Sequence, residues 1–325
     1  MRGRTVCRMD TAGQSGCPNA RPDKVVFWQA VRSGKRGLRK LARGHAAGVS
    51  QRAIHNRHIV SDCKGKSVAS EDEPVIEAVN LCKRFQDKKR GEVRAVDNVS
   101  FTCHPGQIYG LLGANGAGKT TTLRMLATIL EPSEGTARLC GHDIVEHPER
   151  VRANCGFLST ATALYPRLTA QEMVEYFGRL NGLDSTTLKT RIDDIFNKLD
   201  MNDFRDRRCD KLSTGMKQKT SIARTLVHDP PVMIFDEPTL GLDIMTARTI
   251  IEFIRECRDR GKTVIFSTHV MREVEKLCDE IGVIQSGKLL TEGTIEQLRQ
   301  RHGENDLEEI FVKIVTPHYS TPETV

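Results

Sequence analysis

The stretch Gln107-Ile108-Tyr109-Gly110-Leu111-Leu112-Gly113-Ala114-Asn115-Gly116-Ala117-Gly118-Lys119-Thr120-Thr121 decides how the rest of the chain is read. Its first half is an apolar run that predicts a buried strand over Gln107–Leu112, ending at Gly113. From Lys119 the pattern turns helical and predicts a helix to Leu130. Between them, Gly113 to Thr120 fits G-x-x-x-x-G-K-[ST], the loop that wraps nucleotide phosphates. Each residue type has a reason. Gly113, Gly116 and Gly118, with the small Asn115 and Ala117 between them, let successive backbone N–H groups turn toward an anion. The helix that follows presents its positive N-terminal end to the same anion. Lys119 is placed to reach the β- and γ-phosphates and the Thr120 hydroxyl to hold Mg²⁺, with Thr121 beside it as a further nucleotide-binding residue.

Working outward, the next informative run is Val232-Met233-Ile234-Phe235-Asp236-Glu237, four apolar residues closed by two acids. An interior strand reads this way, and its end belongs at the carboxyl edge of the sheet, beside the phosphate loop. There Asp236 is expected in the Mg²⁺ shell and Glu237 as the base that orients or deprotonates the attacking water. Helices are predicted over Ala170–Leu180, Leu188–Leu199, from after Ser213 to about His228, and over Thr246–Arg260. Strands are predicted over Val75–Val79, Ala95–Cys103 and Thr263–Phe266, and a hairpin over Ile281–Gln285 and Lys288–Thr291. Thr169 and Glu172 form a capping box. Strands alternating with helices argue an α/β domain with a mostly parallel central sheet.

The 325 residues suffice for one large domain or two ordinary ones, and a 38% apolar, 28% charged composition is that of a globular protein. No segment approaches the roughly 18 consecutive apolar residues of a membrane-spanning helix, which excludes an integral membrane protein. The net charge of +7 is unevenly spread: residues 1–70 hold 15 Lys and Arg against three acids, and the remainder holds 34 bases against 39 acids. The basic character therefore belongs to residues 1–72, which lack a period of 2 or 3.6 and are expected to be disordered: an organelle transit arm, or translated sequence upstream of the true start. The ten cysteines include no C-x-x-C pair, and reduced thiols are expected.

Three further segments carry a family resemblance over about residues 74–300. Leu212-Ser213-Thr214-Gly215-Met216-Lys217-Gln218, Gly241-Leu242-Asp243 and Ser267-Thr268-His269 follow one another around the Asp236-Glu237 pair. Together with the phosphate loop they resemble the nucleotide-binding domain of ABC transporters, most similar in wording to ATP-binding subunits of sodium-extrusion and multidrug exporters. The resemblance implies a P-loop NTPase of ABC type, with an antiparallel β part and a helical insertion near 161–210, and with residues 302–325 left as a C-terminal tail. It implies an ATP hydrolase peripheral on the inner face of the cell membrane, driving separate transmembrane permease subunits and closing head to tail, as a homodimer or with a second nucleotide-binding subunit, on two ATP molecules.

By resemblance Phe85 stacks on adenine, although a lone Phe is more often core. Ser213 and Gly215 face the partner's γ-phosphate, although Ser213 also reads as a plain N-cap. His269 contacts the γ-phosphate. Asp243 works across the interface or caps a helix. The segment from Ala161 to Pro166 contacts the permease. Two departures stand out. The signature has Thr214 and Met216 in place of glycine and glutamine, and Thr160 stands where the family has the glutamine that touches Mg²⁺. A soluble ABC ATPase acting on ribosomes or nucleic acid is the alternative reading. Against it stand a single motif set and no heptads, and no specific nucleic acid is expected as a partner. An ATP-binding regulator without turnover would lack Glu237.

Overall fold

The computed structural model describes residues 73–89, 91–159 and 164–318. The expectations for residues 1–72, for Thr160 and for Ala161 to Ala163 lie outside these residues. Two sheets organise the rest. The larger has the order β10-β9-β3-β8-β7-β6. Its members are β3 (Ile108–Leu112), β6 (Cys155–Ser159), β7 (Val232–Asp236), β8 (Thr263–Thr268), β9 (Glu280–Gln285) and β10 (Lys288–Gly293). All its pairings are parallel except the β9–β10 hairpin. The smaller is antiparallel, in the order β2-β1-β4-β5, with β1 (Ile76–Asp87), β2 (Gly91–Cys103), β4 (Glu134–Leu139) and β5 (His142–Asp143).

The apolar runs read as interior strands do so because both faces are covered. On β7, Met233 and Phe235 enter the core under the helices α3 (Ala170–Leu180), α4 (Ser185–Lys198), α5 (Thr214–Leu226) and α6 (Ile244–Asp259). Val232 and Ile234, pointing the other way, join the core shared with β1, β2, β4 and α1 (Lys119–Leu126). All five β7 residues are buried, and period-two alternation is erased wherever both sheet faces are packed. A small α2 (Pro148–Ala153) precedes β6.

A third core gathers β9 with α7 (Met271–Leu277), α8 (Ile295–His302) and α9 (Leu307–Val315). Residues 302–325, set apart by sequence as a tail, contribute α9 to it: Leu307, Ile310, Ile314 and Val315 are buried at helical spacing. Several helix ends also differ from expectation. α4 begins at Ser185 rather than Leu188, because the Asp184 carboxylate accepts hydrogen bonds from the N–H groups of Thr186 and Thr187. α5 ends at Leu226 rather than near His228. α1 stops at Leu126, short of Leu130, because Thr128 takes a left-handed φ of 57° that no helix can continue through. α6 begins at Ile244 rather than Thr246, because the Asp243 carboxylate accepts hydrogen bonds from the N–H groups of Met245 and Thr246.

Register fixes the site. Leu112 pairs with Thr268, Asp236 with Ser267, and Ser159 with Asp236, so β3, β6, β7 and β8 end at one level. The functional residues sit on or just beyond those ends, where open parallel sheets bind ligands.

Candidate active site at the carboxyl edge of the sheet

The loop after β3 owes its shape to its glycines. Gly116 has φ of 82° and Gly118 of 113°, values that L side chains rarely adopt. A Cβ at Gly118 would come within 2.7 Å of the Ala95 carbonyl oxygen. Asn115 and Gly116 lie exposed at the crest, while Gly113, Ala117, Gly118 and Lys119 are buried. Gly118 precedes α1 without a side chain to cap it, and the first turn of α1 carries no acid. Its orphan N–H groups are thus left for an anion. Thr121, half-buried, follows in the same turn.

The charged groups converge. Lys119, 4% exposed, donates to the carbonyls of Gly113 (2.7 Å) and Ala114 (3.2 Å). Its ammonium also lies 3.1 Å from a Glu237 carboxylate oxygen. The other Glu237 oxygen is 2.8 Å from Nδ1 of His269, an exposed residue just past β8. Asp236 is buried and accepts from three hydroxyls: Thr120 at 2.9 Å, Ser267 at 2.9 Å and Ser159 at 3.3 Å. A buried carboxylate needs such donors to offset its lost hydration.

Ser267 has a second task, since Glu237 N–H donates to its carbonyl (3.2 Å) and meets its hydroxyl oxygen at 3.1 Å. Glu237 has φ of 51°, a left-handed conformation unusual for a residue with a long side chain. Such strain persists only where neighbours hold it.

Lys119, Thr120, Asp236, Glu237 and His269 thus form one cluster. The other expected residues are placed differently. Phe85 is 40% exposed on the β1–β2 hairpin, with the Lys83 ammonium 5.5 Å from its ring centroid. It is therefore an accessible ring rather than core. Ser213 caps α5 through the Met216 N–H at 3.3 Å, and a Cβ at Gly215 would meet the Thr246 hydroxyl at 3.2 Å. Asp243 is exposed, and hydrogen bonds from Thr246, backbone first and then hydroxyl, hold its carboxyl below the usual range. Among the described residues none of these last three bonds to the phosphate loop.

Sequence reasoning missed four contributors: Ser159, the hydroxyl of Ser267 as a bridge, Gln218 and Gly287. The signal for the serines was a polar residue closing an otherwise apolar strand, at the same level as Asp236. Gly287, in the β9–β10 turn, donates its N–H to the Ala117 carbonyl and accepts from the Asp97 N–H, both at 2.8 Å.

A phosphate-wrapping loop, a buried lysine and two successive carboxylates at the edge of a parallel sheet define a phosphate-loop nucleoside triphosphatase. The ABC transporter family model matches residues 96–240. ABC transporter ATP-binding protein NatA of Bacillus subtilis is 45% identical over 239 residues, 73% of this chain and 97% of that protein. Nod factor export ATP-binding protein I of Ralstonia nicotianae is 38% identical, over 73% of each chain. Among solved structures, an ATP-binding subunit of an ABC transporter superposes with a TM-score of 0.68 at 26% identity, covering 74% of this chain and 99% of that one. The chain belongs to the ABC transporter ATP-binding subunits and hydrolyses ATP for transport. Among the described residues no helix is long and apolar enough to cross a membrane.

Proposed function

We propose that this subunit works as a pair, as a homodimer or with a second nucleotide-binding subunit, closing on two Mg²⁺–ATP molecules to drive separate permease subunits that export sodium ions or other small molecules. The observation that carries the reading is the Lys119–Glu237–His269 chain of contacts at 3.1 and 2.8 Å beside the phosphate loop. A triphosphate offers Lys119 more negative charge than one carboxylate does, so ATP binding draws the ammonium from Glu237 to the β- and γ-phosphates. Glu237 is then free to orient a water and take its proton as that water's oxygen bonds to the γ-phosphorus. The bond from phosphorus to the bridging oxygen breaks and ADP leaves with the electron pair. His269, already bonded to the same carboxylate, steadies it and reaches the transferred group.

The Thr120 hydroxyl and Asp236 carboxylate, 2.9 Å apart, are hard oxygen donors of the kind Mg²⁺ takes, and they are the residues to hold it. Bound there, the ion neutralises phosphate charge. Phe85, an exposed ring on the β1–β2 hairpin, stacks on adenine in this reading.

Pairing is supported by what one chain leaves exposed. Beside the outward-facing Ser213 and Asp243, Leu240, Ile244 and Met245 are 54%, 86% and 71% exposed. In the pair, Ser213 and Gly215 contribute N–H groups to the partner's γ-phosphate. A second apolar patch, with Leu180 and a T-shaped Tyr165–Tyr176 pair (5.8 Å between centroids), suits permease helices at the inner face of the membrane. Co-purification of the full chain with the product of a neighbouring membrane-spanning reading frame, lost when Tyr176 and Leu180 are changed to Asp, tests the partner. Retention of the complex would reject that surface.

A further inference from the structure

The backbone at Glu237 is tied at three points. On its N-terminal side its N–H is held by Ser267. The Glu237 carbonyl accepts from the Leu240 N–H at 3.2 Å. On the C-terminal side the carbonyl of Pro238 accepts, at 2.7 Å, from Nε2 of Gln218. Gln218 stands on α5, in the segment that begins with Ser213 and Gly215. A carbonyl can only accept, so the geometry requires the amide nitrogen rather than the amide oxygen at this contact. The φ of 51° at Glu237 makes the ties meaningful, because a left-handed glutamate relaxes unless its neighbours hold it. α5 also touches the start of α6, which that loop leads into: Gly215 lies against Thr246, whose hydroxyl donates to Asp243.

We infer that Gln218 is a positioning residue for Glu237, transmitting the state of the signature segment to the base of the chain's own phosphate site. The inference rests on the paired reading above, in which Ser213 and Gly215 face the nucleotide held by the partner. Nucleotide bound by one subunit fixes α5 of the other. Through the Gln218 amide, α5 then fixes the peptide that follows Glu237. Each site thereby sets the aim of the base in the opposite one, and a chain whose α5 is unengaged holds Glu237 less firmly. Among the described residues the Gln218 side chain bonds to the Pro238 carbonyl and to no residue of the phosphate loop, so its loss leaves that loop, Lys119 and Thr120 as they are.

The test uses the full chain with Gln218→Leu (no donor), Gln218→Glu (an acceptor facing an acceptor) and Gln218→Lys (a donor retained). Steady-state ATP hydrolysis is measured with Mg²⁺ across ATP concentrations, alongside melting temperature. ATP-driven dimerisation is followed by size-exclusion chromatography of each variant combined with Glu237→Gln. The expected result is a kcat lowered about tenfold by Leu and further by Glu, KM within about twofold, and Lys within about threefold of the unaltered protein. Melting temperatures and ATP-driven dimerisation stay as in the unaltered background. A kcat for Gln218→Leu within twofold of the unaltered chain overturns the inference, as does a loss that follows melting temperature rather than donor capacity. If Glu237→Gln alone never dimerises in ATP, the paired reading falls and the coupling with it. If it dimerises and Gln218→Leu turns over normally, only the role of Gln218 falls.

Discussion

The two ends of the nucleotide machinery are built in opposite ways. At the carboxyl edge of the sheet every charged group is already engaged: Lys119 with Glu237 and two carbonyls, Asp236 with three hydroxyls, Glu237 with His269. At the start of α5 and α6, Ser213, Asp243, Ile244 and Met245 face outward, and among the described residues the side chains of Ser213 and Asp243 are bonded only within their own caps. The first region is finished in its own contacts. The second is finished as local structure and is left as a surface. In the paired reading proposed above, chemistry is stored in the first place and permission for it is received in the second.

The sharpest way to break the contrast is to remove the base. Glu237→Gln keeps the shape of the first region and deletes the proton acceptor. ATP turnover should fall about a thousandfold, roughly 4 kcal/mol, while ATP-dependent dimers persist on size exclusion. Turnover close to that of the unaltered protein would take the chemistry away from Glu237.

The outward region should respond in the converse manner. Changing both Ile244 and Met245 to Glu replaces exposed side chains and should leave the melting temperature within about 2 °C, since surface substitutions cost little. ATP-dependent dimerisation should weaken about a hundredfold, near 3 kcal/mol, because four like charges then meet in a desolvated contact. Unchanged dimerisation, measured by titration of protein in saturating ATP with the Glu237→Gln chain, would place the interface elsewhere.

The same contrast explains what could be read from the sequence. The first region was legible where its parts are contiguous: Gly113 to Thr120 lies in one stretch, and Asp236-Glu237 closes one apolar run. Capping at Thr169 and Ser213 was legible for the same reason, each being settled within four residues. The hydroxyls that hold Asp236 were not. Ser159 and Ser267 reach it only because β6, β7 and β8 are in one parallel register, and register is a property of the sheet rather than of any segment. Asp243 stood open between a cap and an interface residue. The fold shows the cap, and its carboxyl can serve both only if a partner reaches it over the exposed α6 terminus. Residues 307–315 were missed because a short helix with four core positions reads as a tail until α7 and α8 give it something to pack on.

The far end of α5 supplies a pH-dependent probe of how firmly that helix is anchored. His228, just past the exit of α5, is driven to a pKa of about 4 by burial first, with Lys262 and Arg191 adding to it and the Cys155 backbone and Asp229 opposing. The ordinary value is 6.5. Between the two values the unfolded chain binds a proton that the folded chain refuses, so stability is complete above pH 6.5, declines as pH falls and levels off near pH 4. The loss over that window should reach about 2–3 kcal/mol. Urea titrations of the unaltered chain and His228→Leu at pH 7 and pH 4.5 check it. The variant should lack this part of the slope, and parallel slopes would show that the ring is solvated.

The smallest effect concerns the brace behind the phosphate loop. Gly287 has φ of 79°, and a Cβ there would meet the Ala95 carbonyl oxygen at 3.0 Å and Val96 Cα at 3.2 Å. Gly287→Ala therefore combines a left-handed alanine with two backbone approaches that must open by a few tenths of an ångström. The expected cost is about 1–2 kcal/mol of stability. The strain falls on the peptide that bonds Ala117, so it should also loosen the loop and raise KM for ATP about threefold with kcat nearly unchanged. Gly261→Ala is the control. It has a similar φ of 78° but nothing within 4 Å of the added methyl, so it should show the backbone penalty alone, with KM unmoved. Equal KM values in the two variants would mean that the β9–β10 turn merely closes a hairpin. A rise confined to Gly287→Ala would show that the phosphate loop depends on a strand pair that carries none of the clustered residues.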